Sequence, residues 1–185
     1  YGVKYCHMKS RVFTKPNREI VVIAHNIRSV QNVGSILRTA DCLGVEQVYA
    51  SGYTPNLTTR TDGSNLPLLP HVRDKLRREL HRSALGAEEL VPFEYSDDVI
   101  ALFDRLRADG FAVVGLEQNE RSVVLPEYSP SGKVALLLGE EVHGLTNELI
   151  SKCDTLVEIP MFGTKESYNV AVATGIALYH IVLAA

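Results

Sequence analysis

Hydrophobic residues along this chain follow two patterns: short apolar runs, and segments in which apolar positions recur every three or four residues. The apolar runs predict buried strands at 20–24, 47–50, 111–116, 134–138 and 156–159. The helical spacing predicts helices at 32–43, 71–82, 96–109 and 146–152, and a last helix after Asn169. Gly44 is expected to end the first of these helices and Thr146 to cap the fourth. Strands that alternate with helices predict parallel βαβ units and a three-layer α/β fold.

The C-terminal segment has no charged residue from Val170 onward. A surface helix normally has one apolar stripe and one charged face, so we expect this helix to be buried on most of its sides. The apolar residues in excess of what one domain needs to bury are candidates for a partner surface: Val172, Ile176, Tyr179 and Leu183. Ser167 and Asn169 stand at the start of the helix, where such polar groups are either caps or part of a site.

Polar clusters follow three of the predicted strands, at 117–119, 139–144 and 161–169. In parallel α/β sheets, ligands bind at the carboxyl ends of the strands. The sequence therefore predicts a site where these three clusters meet.

Size and composition are those of one globular domain. The chain has 185 residues, of which 45% are hydrophobic and 22% charged, and no apolar run reaches the roughly 18 residues of a membrane span. We expect the domain to occupy residues 20–185 after an N-terminal extension of residues 1–19. Within this extension, residues 1–7 are a candidate for an addition ahead of a natural start at Met8.

The cysteines Cys6, Cys42 and Cys153 lie far apart, and neither they nor the scattered histidines have metal-ligand spacing. We therefore predict reduced thiols, a cytoplasmic protein and no bound metal.

The net charge of −3 argues against a broadly basic, nucleic-acid-binding surface. One segment, 73–82, is nevertheless rich in Arg and Lys, and it is either a solvated helix face or an RNA-binding surface. The RNA-binding candidates are Arg73, Arg77, Arg78 and Arg82.

No dinucleotide fingerprint, phosphate loop or nucleophile elbow occurs in the chain. Arg38 lies in the otherwise apolar helix 32–43. It either forms a salt bridge with Asp41, Glu140 or Glu141, or binds phosphate. The cluster 139–144 is either a simple strand-to-helix turn or a ligand loop, and Ser167 is either a helix cap or a site residue.

Together these clusters resemble the three motifs of the SpoU-type (TrmH-like) RNA 2′-O-ribose methyltransferases of the SPOUT superfamily, over nearly the whole chain from Ile20 to Leu183. The matching positions are Asn32, Gly34, Arg38 and Thr39; Gly139, Glu141 and Gly144; and 159–161, Gly163, Ser167, Asn169, Val170 and Ala173. The resemblance implies a three-layer parallel sheet with a deep C-terminal trefoil knot. It also implies a homodimer with the knot near its interface.

The resemblance further implies that S-adenosylmethionine binds among the knot loops, mainly through main-chain hydrogen bonds and apolar contacts. The positions carried over for the cofactor are Leu116, Gly139, Ile159, Met161, Tyr168 and Asn169. The family usually has Leu at the position of Tyr168, so a larger and more polar ring stands at the adenine pocket of this chain.

The implied reaction is methyl transfer to a ribose 2′-hydroxyl of tRNA or rRNA. The catalytic candidates are Arg38, Asn32, Glu141, Ser167 and Asn169. The family uses Arg38 to activate the hydroxyl. Because arginine is a poor base in proteins, we expect its cation to bind the neighbouring phosphate and stabilise developing alkoxide charge, while the proton leaves by another route.

The resemblance also suggests roles for the remaining catalytic candidates. Asn32 would hold Arg38 or the ribose, and Glu141 would orient Arg38 or the loops of the dimer partner. Ser167 and Asn169 would fix the reacting groups. The alternative function is that of an RNA-binding homologue without methyltransferase activity.

Overall fold

The computed structural model describes residues 18–58, 66–130 and 132–184. The strands are β1 (Ile20–His25), β2 (Gln47–Ser51), β3 (Phe93–Ser96), β4 (Phe111–Leu116), β5 (Val123–Val124), β6 (Lys133–Leu138) and β7 (Thr155–Glu158). The helices are α1 (Val30–Leu43), α2 (Pro70–Ala84), α3 (Ala87–Leu90), α4 (Val99–Ala108), α5 (Asn147–Lys152) and α6 (Val170–Leu183). Most of the predicted N-terminal extension, including Cys6 and Met8, lies outside the described residues.

The strands form one parallel sheet in the order β3-β2-β1-β6-β4-β7-β5. The central strands β1 and β6 pair in register, with Val22 opposite Leu136. Their aliphatic residues are almost fully buried on both faces of the sheet, as expected of parallel strands covered on both sides.

Helices cover both faces of this sheet. On one face, α1, α2 and α6 contribute buried side chains such as Ile36, Leu80 and Leu178. On the other face, α4 and α5 contribute Phe103 and Leu149. The predicted three-layer α/β architecture is therefore confirmed. Among the described residues, no helix combines the length and apolar character needed to cross a membrane.

The predicted helix ends at Gly44 and Thr146 are both confirmed. Gly44 has a left-handed φ of 66° and donates its N–H to the end of α1. The Thr146 side chain accepts a hydrogen bond from Leu149 N at the start of α5.

Two predictions were wrong in detail. The helix predicted at 96–109 begins only at Val99, because Ser96 completes β3 and the Asp98 side chain caps the helix. The last helix, α6, is not buried on most sides. Its buried residues lie along one face, whereas an apolar surface remains exposed at Val172, Ile176, Tyr179 and Leu183.

Candidate functional site

A cavity of about 290 Å³ lies at the carboxyl ends of β6, β4 and β7, which are neighbours in the sheet. The loops after these strands form it, as the positions of the polar clusters predict. Its apolar lining residues are Leu116, Leu138, Val142, Ile159, Met161, Tyr168, Val170 and Ala173. Its carboxylates are Glu117, Glu140, Glu141, Glu158 and Glu166. Among the described residues that line the cavity, none is Lys or Arg.

The loop after β6 folds back on itself beside the cavity. Glu140 N donates to Gly144 O at 3.2 Å, and Gly144 N donates to Glu140 O at 2.9 Å. A Cβ atom at Gly139 would lie 2.6 Å from the backbone carbon of Gly144, closer than side chains allow. The loop therefore requires glycine at Gly139. It connects β6 to α5 and also lines the cavity, so whether it is only a strand-to-helix turn or a ligand loop stays open.

The carboxylate of Glu117 holds this loop from the neighbouring strand end. It accepts hydrogen bonds from Leu145 N at 2.6 Å and from Gln118 N at 3.1 Å. A Cβ atom at Gly144, whose φ is +66°, would lie 2.2 Å from the same carboxylate. The sequence analysis placed the cluster 117–119 at the site but gave Glu117 no role, although an acid directly after an apolar strand was the signal for one.

A chain of hydrogen bonds joins residues of the three motifs that the sequence shares with the SpoU-type methyltransferases. Asn169 Nδ2 donates to Asn32 Oδ1 at 3.1 Å, and Asn32 Nδ2 donates to Glu141 Oε1 at 3.0 Å. Glu141 also accepts from Arg28 N at 3.1 Å and from Ser29 N at 3.3 Å. The structure therefore brings together three of the five catalytic candidates and ties the start of α1 to the loop after β6 and the start of α6.

The surroundings of Glu141 favour its charged form. Partial burial raises the pKa of this carboxyl, but the hydrogen bonds from Arg28 N, Asn32 and Ser29 N outweigh it, so the pKa lies below its usual value. Glu141 is therefore a carboxylate at neutral pH, and its role in the structure is that of a hydrogen-bond acceptor.

Arg38 is exposed on α1. It forms no ion pair with Asp41, Glu140 or Glu141, all of which the structure describes, so the salt-bridge alternative is wrong. Glu140 pairs instead with Arg28 at 2.7 Å. Because the Arg38 guanidinium reaches solvent, no burial cost has to be offset by a partner.

Asn169, rather than Ser167, caps α6. Its side chain accepts hydrogen bonds from Ala171 N at 3.0 Å and Val172 N at 3.4 Å. Ser167 is exposed and lines the cavity beside Tyr168, so the capping alternative for this serine is wrong. Asn169 lies outside the cavity lining and borders a second, open groove between α1 and α6.

The second groove is largely apolar. Ser35 and Thr39 border it on α1, and Val172, Ile176 and Tyr179 border it on α6. Tyr179 is 61% exposed and Val172 52% exposed. Apolar side chains exposed together in this way are typical of a contact surface.

The predicted RNA-binding residues Arg73, Arg77, Arg78 and Arg82 are all exposed on α2. None of them pairs with a carboxylate in the part of the chain that the structure describes. Within the described chain, Lys75 Nζ lies 4.0 Å from Glu79 on this helix, and His81 Nδ1 lies 2.6 Å from Glu88 Oε1.

No group of His, Cys, Asp and Glu side chains suited to hold a metal ion occurs in residues 18–58, 66–130 and 132–184. Cys42 and Cys153 are free thiols. Burial raises the pKa of Cys153 to about 11, so this thiol is protonated at neutral pH. That the protein functions without a metal stays a prediction.

Residues 19–179 match the model of the SpoU rRNA methylase family. The chain belongs to this family. It is 25% identical over 165 residues to a tRNA (guanosine(18)-2′-O)-methyltransferase of Borreliella burgdorferi, a match covering 89% of this chain and 66% of that protein. It is 32% identical over 162 residues to the 23S rRNA (guanosine-2′-O-)-methyltransferase RlmB of Coxiella burnetii, covering 88% and 57%. The chain thus spans two thirds or less of the length of these two relatives.

Solved structures of a tRNA modifying enzyme and an rRNA methyltransferase share the fold. The A. aeolicus TrmH/SpoU tRNA modifying enzyme matches with a TM-score of 0.71 and 26% identity over 90% of this chain and 75% of that one. The AdoMet-bound rRNA methyltransferase of Sinorhizobium meliloti matches with a TM-score of 0.70 and 29% identity over 90% and 57%. The predicted family membership is confirmed.

This SpoU family member has a second polar cluster beside its motif residues that the sequence analysis did not single out. Arg28 pairs with Glu140 and lies 5.9 Å from the centre of the Tyr53 ring. His143 Nδ1 lies 3.0 Å from the other oxygen of Glu140. Arg28 and Tyr53 are far from Glu140 in sequence, so only the folded chain reveals that they meet it at one place.

Proposed function

We propose that this protein transfers the methyl group of S-adenosylmethionine to a ribose 2′-hydroxyl of structured tRNA or rRNA. The observation that carries the proposal is the hydrogen-bonded chain Asn169–Asn32–Glu141, which joins all three motif clusters beside the cavity. The names of the tRNA and rRNA relatives, which describe 2′-O-methyl transfer, support the reaction class.

The charge, the apolar lining and the volume of the cavity suit this cofactor. Carboxylates surround it, and Glu158 and Glu166 have no ion-pair partner among the described residues. A cationic sulfonium and ammonium are favoured there, because opposite charges at close range attract. The apolar contacts would come from Leu116, Ile159 and Met161, and the volume of about 290 Å³ is close to the lower end of roughly 300–1,000 Å³ for small-molecule sites. When bound, the cofactor supplies an electrophilic methyl group.

The part proposed for Arg38 is electrostatic. Its guanidinium is exposed and unpaired within the described residues, so it is available to bind a phosphate and to stabilise negative charge on the ribose oxygen. Asn32 and Glu141 hold the first turn of α1 against the cavity loops and so fix the helix that carries Arg38. Since the pKa of Glu141 is lowered, this carboxylate is a weak base, and we assign the departing proton to another route.

The four exposed arginines of α2 are the proposed RNA-binding surface. Their charges are not neutralised by carboxylates in the described chain, which leaves them available for phosphate oxygens. On a protein of net charge −3, such a local basic surface favours contact with a polyanion at one place.

We also propose that the domain, residues 20–185, contains a deep trefoil knot and forms a homodimer in the cytoplasm. The dimer is supported by the apolar groove between α1 and α6 and by the exposed side chains of Val172, Ile176, Tyr179 and Leu183. A second copy would bury this surface, since apolar area exposed to water favours association.

Two experiments test this function. Calorimetry should detect binding of S-adenosylmethionine to the purified protein without added metal. Mapping of 2′-O-methyl groups in total RNA, with and without the protein, should reveal at least one position that depends on it. Absence of cofactor binding together with retained RNA binding would instead indicate an RNA-binding homologue without activity.

A further inference from the structure

Helix α2 packs on α1 at Gly34, closely enough to exclude any side chain. A Cβ atom at Gly34 would lie 2.1 Å from Ser83 Oγ, 2.8 Å from Leu80 O and 3.0 Å from Ala84 N. Two of these neighbours are backbone atoms, which cannot rotate away. Gly34 and its neighbours Leu80 and Ala84 are buried, so the two helices meet without intervening solvent.

Helix α1 has two functional sides, and the contact at Gly34 lies on the side that faces α2. Arg38 follows Gly34 by four residues, which on a helix places it one turn and about 6 Å further along nearly the same side. Asn32 faces the other way, toward Glu141 and Asn169. Helix α1 therefore connects the cavity loops on one side to the basic helix α2 on the other.

The C-terminal end of α2 is also held in place. His81 Nδ1 lies 2.6 Å from Glu88 Oε1, and the second oxygen of Glu88 accepts from Gly86 N at 2.9 Å. Ala87, in the short helix that follows, is buried. The residues that meet Gly34 belong to this same end of α2, so we expect a side chain at position 34 to shift the helix that carries the arginines.

We propose that Gly34 and Ser83 are positioning residues that fix the distance between the RNA-contacting arginines of α2 and Arg38. This inference rests on the proposed function. RNA phosphates held by Arg77, Arg78 and Arg82 would place the target ribose at Arg38 only if α2 lies directly against α1. A displacement of about 1 Å is enough to cost on the order of 10²-fold in the rate of an oriented reaction.

The test is Gly34→Ala, with Cys42→Ala as the control on an exposed position of the same helix. Single-turnover methylation at saturating RNA and cofactor should fall about 10- to 100-fold in Gly34→Ala, whereas RNA affinity stays within about threefold. The cofactor affinity of Gly34→Ala should equal that of the wild type. Cys42→Ala should keep the wild-type rate, RNA affinity and cofactor affinity. Ser83→Gly combined with Gly34→Ala should recover part of the rate, because it removes the clash with Ser83 Oγ. The recovery should be incomplete, since the clash with the backbone at Leu80 remains.

A double-mutant cycle separates positioning from a general structural defect. The background protein carries the three substitutions Arg77→Ala, Arg78→Ala and Arg82→Ala. In this background, Gly34→Ala should lower the single-turnover rate less than about threefold, since α2 no longer holds the RNA. Ser83→Val places a larger side chain in the same contact from α2. It should lower the rate in the two backgrounds as Gly34→Ala does, and it replaces that variant in the test if Gly34→Ala is insoluble. Equal losses in both backgrounds, or parallel losses of rate and RNA affinity, would overturn the inference. A wild-type protein with no activity on any RNA would overturn the proposed function itself, and this inference with it.

Discussion

At the scale of single residues, Arg38 differs from the polar groups around it. Asn32, Glu141 and Asn169 satisfy one another through hydrogen bonds, whereas the Arg38 guanidinium is exposed and pairs with no carboxylate that the structure describes. A charged group left available in this way is suited to an anion that arrives with the substrate.

We expect Arg38→Ala to lower single-turnover methyl transfer by at least about 10²–10³-fold, the usual cost of removing one group that stabilises developing negative charge. Arg38→Lys should also be severely impaired, because an ammonium cannot replace the two-pronged guanidinium. Calorimetry should show unchanged cofactor affinity, since Arg38 lies outside the cavity lining. A near-wild-type rate in Arg38→Ala would contradict the catalytic role.

Glu141 gives a prediction for stability and its pH dependence. Glu141→Gln replaces one of the two carboxylate oxygens by an NH2 group, which donates and cannot accept, so either Arg28 N or Ser29 N loses its acceptor. The substitution should lower the free energy of unfolding by about 1–2 kcal/mol at pH 7. The pKa of Glu141 is lowered in the fold, so the contribution of the carboxylate is fully present above its ordinary value of 4.5 and is lost as the pH falls through the lowered pKa.

Urea denaturation of both proteins from pH 7 down to the acid range measures this effect. Glu127→Gln, at an exposed position, is the control and should change little. A difference between wild type and Glu141→Gln that stays constant below pH 4.5 would show that the carboxylate charge is not responsible.

At the scale of elements, α2 presents its arginines to solvent on a helix fixed against α1. Replacing Arg77, Arg78 and Arg82 by Ala should weaken RNA binding and reduce the log–log salt slope by about 0.7–0.9 for each phosphate that the protein no longer binds. Arg105→Ala, a cation on α4, is the control. Filter binding at several salt concentrations measures the slope, and an unchanged slope would mean that α2 is a solvated surface.

The sequence predicts the elements with strong periodicity and fails where tertiary contacts decide. The apolar runs of β1, β4 and β6 are recognisable, because buried parallel strands need continuous apolar residues. Strands β3 and β5 are short and partly exposed, so no apolar run marks them. In α6 the apolar composition is plain, but which side faces the sheet depends on packing that the sequence does not reveal.

The same limit applies to the site. The motif spacing predicts Asn32, Glu141 and Asn169 as candidates, and the positions of the clusters after β4, β6 and β7 predict where they meet. Glu140, by contrast, pairs with Arg28 from the connection between β1 and α1, and Arg28 lies against the ring of Tyr53 from the loop after β2. Contacts between such distant segments follow from the fold and cannot be inferred from local patterns.

At the scale of the whole molecule, the groove between α1 and α6 is the expected dimer surface. Ile176 borders this groove and is 37% exposed. Ile176→Glu should yield monomeric or insoluble protein without activity, because a dimer interface above about 2,000 Å² would bury the new charge without a partner.

Leu90→Glu is the matched control, since Leu90 is 71% exposed and lies far from the groove in sequence, on α3. Light scattering should show that wild type and Leu90→Glu contain two chains at assay concentration. A fully active monomer of the wild-type protein would refute the dimer.

The central claim concerns the reaction, and one measurement tests it most directly. Purified protein is incubated with tRNA and rRNA and with S-adenosylmethionine carrying an isotope-labelled methyl group, and the RNA is then digested to nucleosides and analysed by mass spectrometry. We predict label in a 2′-O-methylated nucleoside with the wild type and none with Arg38→Ala. Label found only on a base, or no label with either RNA although the cofactor binds, would contradict the proposed reaction.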